Sequence, residues 1–221
     1  MHFLCLHGKG TNTRILEVQL RTVQYQLGDG HTYEFVEGTV PEQPAPEIQT
    51  LFPSSDKYFG YFNEHSLTSY QDALSNLERY IEICGPFDGV IAFSQGVTLA
   101  STLLVRQAQE SPRPGHIKVA IFFSGGPPVD PGMLDGGVIV PLDGETTGEV
   151  IDIPTAHIYG SIEHGELEEP PKLLALCKAG VRERFEHCGG HEIPGSKDRV
   201  VIVGVIQAMR RAIWRAGATS T

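Results

Sequence analysis

The stretch Val90-Ile91-Ala92-Phe93-Ser94-Gln95-Gly96-Val97-Thr98-Leu99-Ala100 decides how this chain is read. Four apolar residues run into one serine and then into an apolar segment with helical spacing. A buried strand therefore passes into a helix through a single polar residue. Small residues stand two positions before and two after the serine, Ala92 and Gly96. A serine held in a strained strand-to-helix turn requires this, because larger side chains there would collide with neighbouring backbone. Its hydroxyl is then exposed above the sheet edge, at a helix N-terminus whose dipole favours a developing anion. An ordinary turn capped by a serine explains the same residues about equally well, so the flanking chain has to discriminate.

On both sides of this segment, strand and helix patterns alternate, the mark of βαβ units and a largely parallel sheet. Upstream, Phe3-Leu4-Cys5-Leu6 reads as a strand ending in the loop His7-Gly8-Lys9-Gly10-Thr11-Asn12. Leu16, Leu20, Val23 and Leu27 mark a helix that stops at Gly28, and Thr32 to Val36 is a second strand. From Gly38 to His65 the pattern dissolves among four prolines and the aromatics Phe52, Tyr58, Phe59, Tyr61 and Phe62. So long a loop reads either as a lid or binding loop or as a segment pinned to the body by its aromatic residues. Leu74, Leu77 and Ile81 mark the helix before the central strand.

Downstream, Ile117 to Phe123 is a buried strand ending in Ser124-Gly125-Gly126, and residues 129 to 152 read as irregular. Pro154 to Tyr159 is a strand, Pro171 to Lys178 a helix and Val181 to Glu186 the last strand. Ser196 reads as the N-cap of a final helix reaching Trp214. No repeat or linker divides the 221 residues, so residues 1–221 read as one domain of α/β-hydrolase type, a mostly parallel sheet with helices on both faces.

Bulk properties exclude several function classes. The net charge of −10, with nine histidines counted neutral and no Lys/Arg block, disfavours a nucleic-acid partner. The four cysteines are far apart and form no CxxC pair, so neither a disulfide framework nor a zinc site is expected. No apolar run is long enough to span a membrane, and the N-terminus reads as a strand rather than a signal peptide. A cytosolic (cytoplasmic) protein without membrane partner, metal or cofactor is the expectation.

Serine is a weak nucleophile until a base takes its proton. In this fold the chain order is Ser, acid, His. Among the downstream histidines, His191 lies in the glycine-flanked loop Cys188-Gly189-Gly190-His191-Glu192-Ile193-Pro194, between the last strand and the last helix, where the base belongs. His157, inside a strand, and His187, at a strand end, read as structural. The acid should follow the penultimate strand, in Gly160-Ser161-Ile162-Glu163. Glu163 is the candidate, Glu166 the reserve, and Asp152 is worse placed because it precedes the strand. The oxyanion hole needs two backbone N–H groups, expected from Gln95 and from Lys9 in the first loop. Gly8 and Gly10 let backbone approach the substrate, and Phe59 and Phe62 are candidates to contact an apolar acyl group. His7 is expected to brace the loop by hydrogen bonding.

Together, His7-Gly8-Lys9-Gly10-Thr11-Asn12, Gly85-Pro86-Phe87-Asp88-Gly89 running into the serine segment, Phe123-Ser124-Gly125-Gly126 and Gly189-Gly190-His191-Glu192-Ile193-Pro194 resemble the FSH family of serine hydrolases. The resemblance spans nearly the whole chain with the motifs in order. It implies an α/β-hydrolase fold and esterase or thioesterase activity, with Ser94 and His191 as catalytic residues. Glu163 stands where the family usually has aspartate. Similar fungal proteins release polyketides from an acyl carrier protein, so a small-molecule acyl ester or thioester, with such a carrier as a partner, is the substrate class implied. Other outcomes on the same scaffold are a general small-ester carboxylesterase, an acyltransferase or cyclase, and a binding protein without chemistry.

Overall fold

The computed structural model describes residues 1–51, 57–111, 115–162 and 169–218. In chain order the elements are β1 (His2–Leu6), α1 (Thr13–Leu27), β2 (Thr32–Val36), β3 (Val40–Glu42), α2 (Pro46–Leu51), β4 (Tyr58–Gly60), α3 (Leu67–Cys84) and β5 (Gly89–Phe93). There follow α4 (Gln95–Gln109), β6 (Val119–Phe123), α5 (Pro131–Asp135), α6 (Gly144–Thr147), β7 (Thr155–Gly160), α7 (Glu169–Leu176), β8 (Arg182–His187) and α8 (Arg199–Ala218). Six strands form one parallel sheet in the order β2-β1-β5-β6-β7-β8. The expected α/β-hydrolase architecture is thus present.

Period-two alternation explains how this sheet is buried on both faces. Leu4, Leu6, Val90, Ala92, Ala120 and Phe122 turn to one side, where α3 and α4 cover them with Leu74, Leu77, Ile81, Leu99 and Leu103. Phe3, Cys5, Ile91, Phe93, Val119, Ile121 and Phe123 turn to the other, against Leu16, Leu20 and Val23 of α1 and Ile202, Val205 and Met209 of α8. Because neighbouring side chains on each strand serve opposite layers, the strands read as unbroken apolar runs.

Three segments differ from the sequence reading. Residues 40–60 contain an antiparallel hairpin, β3 with β4, in which Val40 pairs with Gly60 and Glu42 with Tyr58, and α2 lies between its strands. Strands of three residues are too short to show a period, and cross-chain bonds hold them: Gly10 N–H donates to Phe59 O at 2.9 Å and Phe59 N–H to Thr11 O at 2.8 Å. Residues 129–152 hold two short helices, α5 and α6, capped by Asp130 and Asp143 side chains. The final helix begins later than expected. Asp198, not Ser196, caps it, its Oδ1 accepting from Val200 and Val201 N–H at 2.9 and 3.1 Å. Aspartate caps as well as serine, and the acceptor that is two and three residues before free N–H groups prevails.

Candidate active site

Ser94 sits between β5 and α4 with φ 54° and ψ −120°. A non-glycine residue rarely adopts this region, and it persists only where its surroundings over-determine it. They do so here. A Cβ on Gly96 would lie 2.7 Å from the carbonyl oxygens of both Leu6 and His7, and one on Gly8 3.2 Å from Ser94 Cβ. A Cβ on Gly125 would overlap Val97. Ser94 N–H donates to Phe123 O at 3.0 Å, locking the turn to the end of β6. Although Ser94 occupies the N-cap position, its side chain makes no capping hydrogen bond. The plain cap reading therefore fails, and the hydroxyl is left for other use.

Two cavities meet at Ser94. The larger, about 590 Å³, is walled by Phe62, Tyr70, Val129, Ile139 and Pro141, with Gln95 and Thr98 at its floor. The other, about 440 Å³, brings Ser94 together with His191 and Glu192, and with Thr11, Gln19 and Ile48 opposite. Lys9 lines both. His191 comes from the turn after β8, and its ring packs on Phe93, the residue before the serine, with centroids 5.1 Å apart. So residues 97 positions apart in sequence face one space.

Glu163 and Glu166 lie outside the described residues. The chain leading to Glu163 runs beside the histidine loop: Ser161 N–H donates to His187 O at 2.8 Å and Ile162 N–H to Gly189 O at 3.1 Å. Asp152 lies before β7, at the far end of the strand from this loop. His157 is buried in β7, its Nε2 2.9 Å from Thr155 Oγ1, and burial, aided by the Arg182 charge, lowers its pKa to about 3. Burial thus favours the neutral ring. His187 Nδ1 accepts from Gly189 N–H at 3.1 Å, shaping the turn that carries His191.

The first loop is braced by His7, which is fully buried. Its Nδ1 lies 2.8 Å from Gly8 O and its Nε2 2.9 Å from Gly38 N. Glu37 lies 3.1 Å from the same Nε2. Burial opposes ionisation of Glu37, but hydrogen bonds involving His7 and Thr13 outweigh it and hold the carboxyl below its ordinary range. Gly10 has φ 70°, and a Cβ there would lie 2.6 Å from Gln43 O; its role is to close the loop on residues 43–45. Among the described residues, the loop's backbone bonds run through Gly10, Thr11 and Asn12 and leave the Lys9 amide out. The Gln95 amide is the first of α4, where no intrahelical acceptor exists. Lys9 Nζ pairs with Glu64 at 3.2 Å and Glu42 at 3.9 Å.

Of the aromatic candidates, Phe62 walls the larger cavity, stacked on Tyr70 with centroids 3.9 Å apart. Phe59 is half-buried in the hairpin and lines neither cavity, its backbone being the anchor for residues 10 and 11. Sequence reasoning overlooked the side chains of Gln95 and Tyr61. Gln95 Oε1 accepts from Tyr61 N–H at 2.8 Å and its Nε2 donates to Phe62 O at 3.0 Å. The Tyr61 hydroxyl accepts from His7 N–H and donates to Val36 O, both at 2.8 Å. No periodicity flags such pairs, since each joins segments dozens of residues apart.

Comparison with known proteins gives this site a family. Esterase FPY3 of Fusarium mangiferae is 38% identical over 216 residues, covering 96% of this chain and 95% of the relative. Esterase pigG of Monascus ruber is 30% identical, covering 91% and 88%. Among solved structures, a carboxylesterase from Mesorhizobium loti superposes with TM-score 0.61 at 16% identity, covering 95% of this chain and 88% of its own. Zea mays acyl-protein thioesterase 2 gives 0.59 at 16% identity, covering 96% and 93%. At such identities these structures show the fold alone. The model of the family described as Serine hydrolase (FSH1) matches residues 1–203, and the chain belongs to that family of serine hydrolases, an esterase by its kinship.

Proposed function

We propose that the protein hydrolyses an acyl ester or thioester through an acyl-enzyme on Ser94, with His191 as base and Glu163 as the acid that orients it. The observation that carries this is the uncapped, strained Ser94 at the junction of two cavities, only one of which contains His191. His191 takes the Ser94 Oγ proton as Oγ bonds to the acyl carbon. The amides of Lys9 and Gln95 hold the oxyanion. The C–O or C–S bond then breaks and the proton passes from His191 to the departing oxygen or sulfur. Water, deprotonated by the same imidazole, frees the acid and restores Ser94.

This division of labour orients the substrate. Because His191 must reach the departing atom, the leaving group occupies the cavity it lines. The acyl chain then lies in the larger one, against Phe62, Tyr70, Val129 and Ile139. That volume admits a chain longer than acetate, with an apolar wall at Phe62, Tyr70, Val129 and Ile139 and polar groups at Glu64, Thr98 and Ser124. The reading extends to release of an acyl or polyketide chain in fungal metabolism, in the cytosol. No helix among the described residues is long and apolar enough to cross a membrane.

The nature of the leaving group separates two forms of this proposal. Docking of an acidic carrier protein needs free surface cations. Arg106 already pairs with Glu78 and Asp135, Lys118 with Asp88, and Arg113 lies outside the described residues. Surface pairs of this kind are worth about 0–1 kcal/mol, so the leaving group is decided by relative rates rather than by these contacts. Ser94→Ala is expected to lower hydrolysis of p-nitrophenyl acetate at least about 10³-fold with the circular dichroism spectrum unchanged. Undiminished turnover would remove the proposal. Rates on an octanoyl ester and the matching N-acetylcysteamine thioester then rank the two leaving groups.

A further inference from the structure

We infer that Gln95 is a positioning residue that makes the oxyanion donor depend on the acyl-cavity wall. This rests on the reading of Ser94 as nucleophile and adds to it a specificity device. Residue 95 has two parts with separate duties. Its backbone N–H opens α4 beside the serine, where an oxyanion would form. Its carboxamide, buried and bonded at both ends, grips two consecutive backbone groups, Tyr61 N–H and Phe62 C=O. Gly60 makes room for that grip, since a Cβ there would stand 2.9 Å from Gln95 Oε1.

The gripped segment is anchored on both sides of the grip, and beyond it Asn63 N–H donates to Ser69 Oγ at 3.0 Å. Tyr61 is tied back to β1 and β2 through its hydroxyl, which burial keeps protonated by raising its pKa. Phe62 faces the cavity, and its partner there is the stacked Tyr70. Glu64, two residues on, pairs with Lys9 Nζ at the surface, a contact of side-chain tips that leaves the Lys9 backbone to its own loop. An acyl chain that packs on Phe62 therefore sets the segment against the Gln95 carboxamide. A chain too short to reach Phe62 leaves the Gln95 amide less firmly placed. A buried amide pair that is fully satisfied is stiff enough to transmit such a fit, and displacement by about 1 Å of a group at the reacting centre can cost about 100-fold in rate.

The test is a double-mutant cycle with p-nitrophenyl acetate and p-nitrophenyl octanoate as substrates. Gln95→Met keeps the side-chain volume but bonds neither Tyr61 nor Phe62. It should lower kcat for the octanoyl ester about 10- to 100-fold while KM moves less than about threefold, erasing the preference for the longer chain. Phe62→Ala should cost kcat similarly in the wild-type background and little more in the Gln95→Met background, a non-additivity above about threefold. Gln95→Glu keeps the acceptor for Tyr61 N–H but faces Phe62 C=O with a carboxylate, and should fall between the two. If Gln95→Met does not fold, the Glu variant completes the cycle. Additive effects, or a chain-length preference that survives in the Gln95 variants, would overturn the inference. Labelling of Ser94 by a fluorophosphonate, run on the wild type in parallel, separates the failures: an unlabelled wild type sinks the nucleophile itself, whereas a labelled one with additive variants sinks only this coupling.

Discussion

The two halves of the site are held in different ways. On the nucleophile side, backbone approaches backbone so closely that steric exclusion sets the geometry. Gly96 lies against the carbonyls of Leu6 and His7, Gly8 against Ser94, and Gly125 against Val97. Hydrogen bonds from His7, Tyr61 and Gln95 then lock three loops together. On the base side, His191 is placed by a short turn. Gly189 N–H reaches His187 Nδ1, Glu192 N–H reaches Gly190 O at 2.9 Å, and Ile193 anchors the far end in the core. Backbone is tight here too, since a Cβ on Gly160 would overlap Gly189 O, but the serine's own backbone is strained into place, whereas in the proposed mechanism the imidazole's orientation rests on a separate acid. The same mutation-sized disturbance should therefore be read out differently on the two sides: as lost stability with lost activity on the first, and as lost activity alone on the second.

The strongest way to break that contrast is Glu163→Gln. A neutral amide in the acid's place misdirects the imidazole proton, so kcat on p-nitrophenyl acetate should fall about 10³- to 10⁴-fold. Thermal unfolding should barely shift, and Glu166→Gln should behave as wild type. Equal losses in both variants, or a loss only in the second, would move the acid's role to Glu166. Gly96→Ala tests the other half. Its Cβ has only backbone oxygens to displace, so about 1–3 kcal/mol of stability should go, with about 10- to 100-fold of kcat, as read by denaturant titration and steady-state rates. An unperturbed Gly96→Ala protein would show that steric exclusion does not set the serine.

A finer measurement is Tyr61→Phe. It leaves His7 N–H, which is buried, and Val36 C=O, which is partly buried, without the hydroxyl they share. Each orphaned buried group costs about 1–3 kcal/mol, so the midpoint of urea unfolding should drop measurably. Turnover should fall less than for Gly96→Ala, because Gln95 still holds Tyr61 N–H and Phe62 C=O. A larger loss of turnover than of stability would reverse the order of importance drawn here between the hydroxyl and the carboxamide.

Much of this was legible in the sequence because it depends on neighbours along the chain. The alternation that buries β1, β5 and β6 on two faces, the turn chemistry at Ser94 and the glycines flanking His191 are all local patterns, readable from residue size and period. What escaped was also governed by identifiable causes. The hairpin of β3 and β4 is too short to carry a period, and its bonds go to residues 10 and 11. Asp198 replaced Ser196 as the cap because its carboxylate meets two free N–H groups where the helix in fact starts.

By itself, the sequence determined the succession of the six sheet strands and their covering helices, the turn at the serine and the histidine proposed as base, since sterics and hydrophobic period act over a few residues. Only the tertiary structure decided that Ser94 opens on two cavities with His191 in one, and that the Gln95 carboxamide and the Tyr61 hydroxyl join the elbow to the loops beside it. The reason is physical. Hydrogen bonds between buried groups and the walls of a cavity depend on which segments the packed core brings within 3 Å or so, and sequence separation carries no record of that distance.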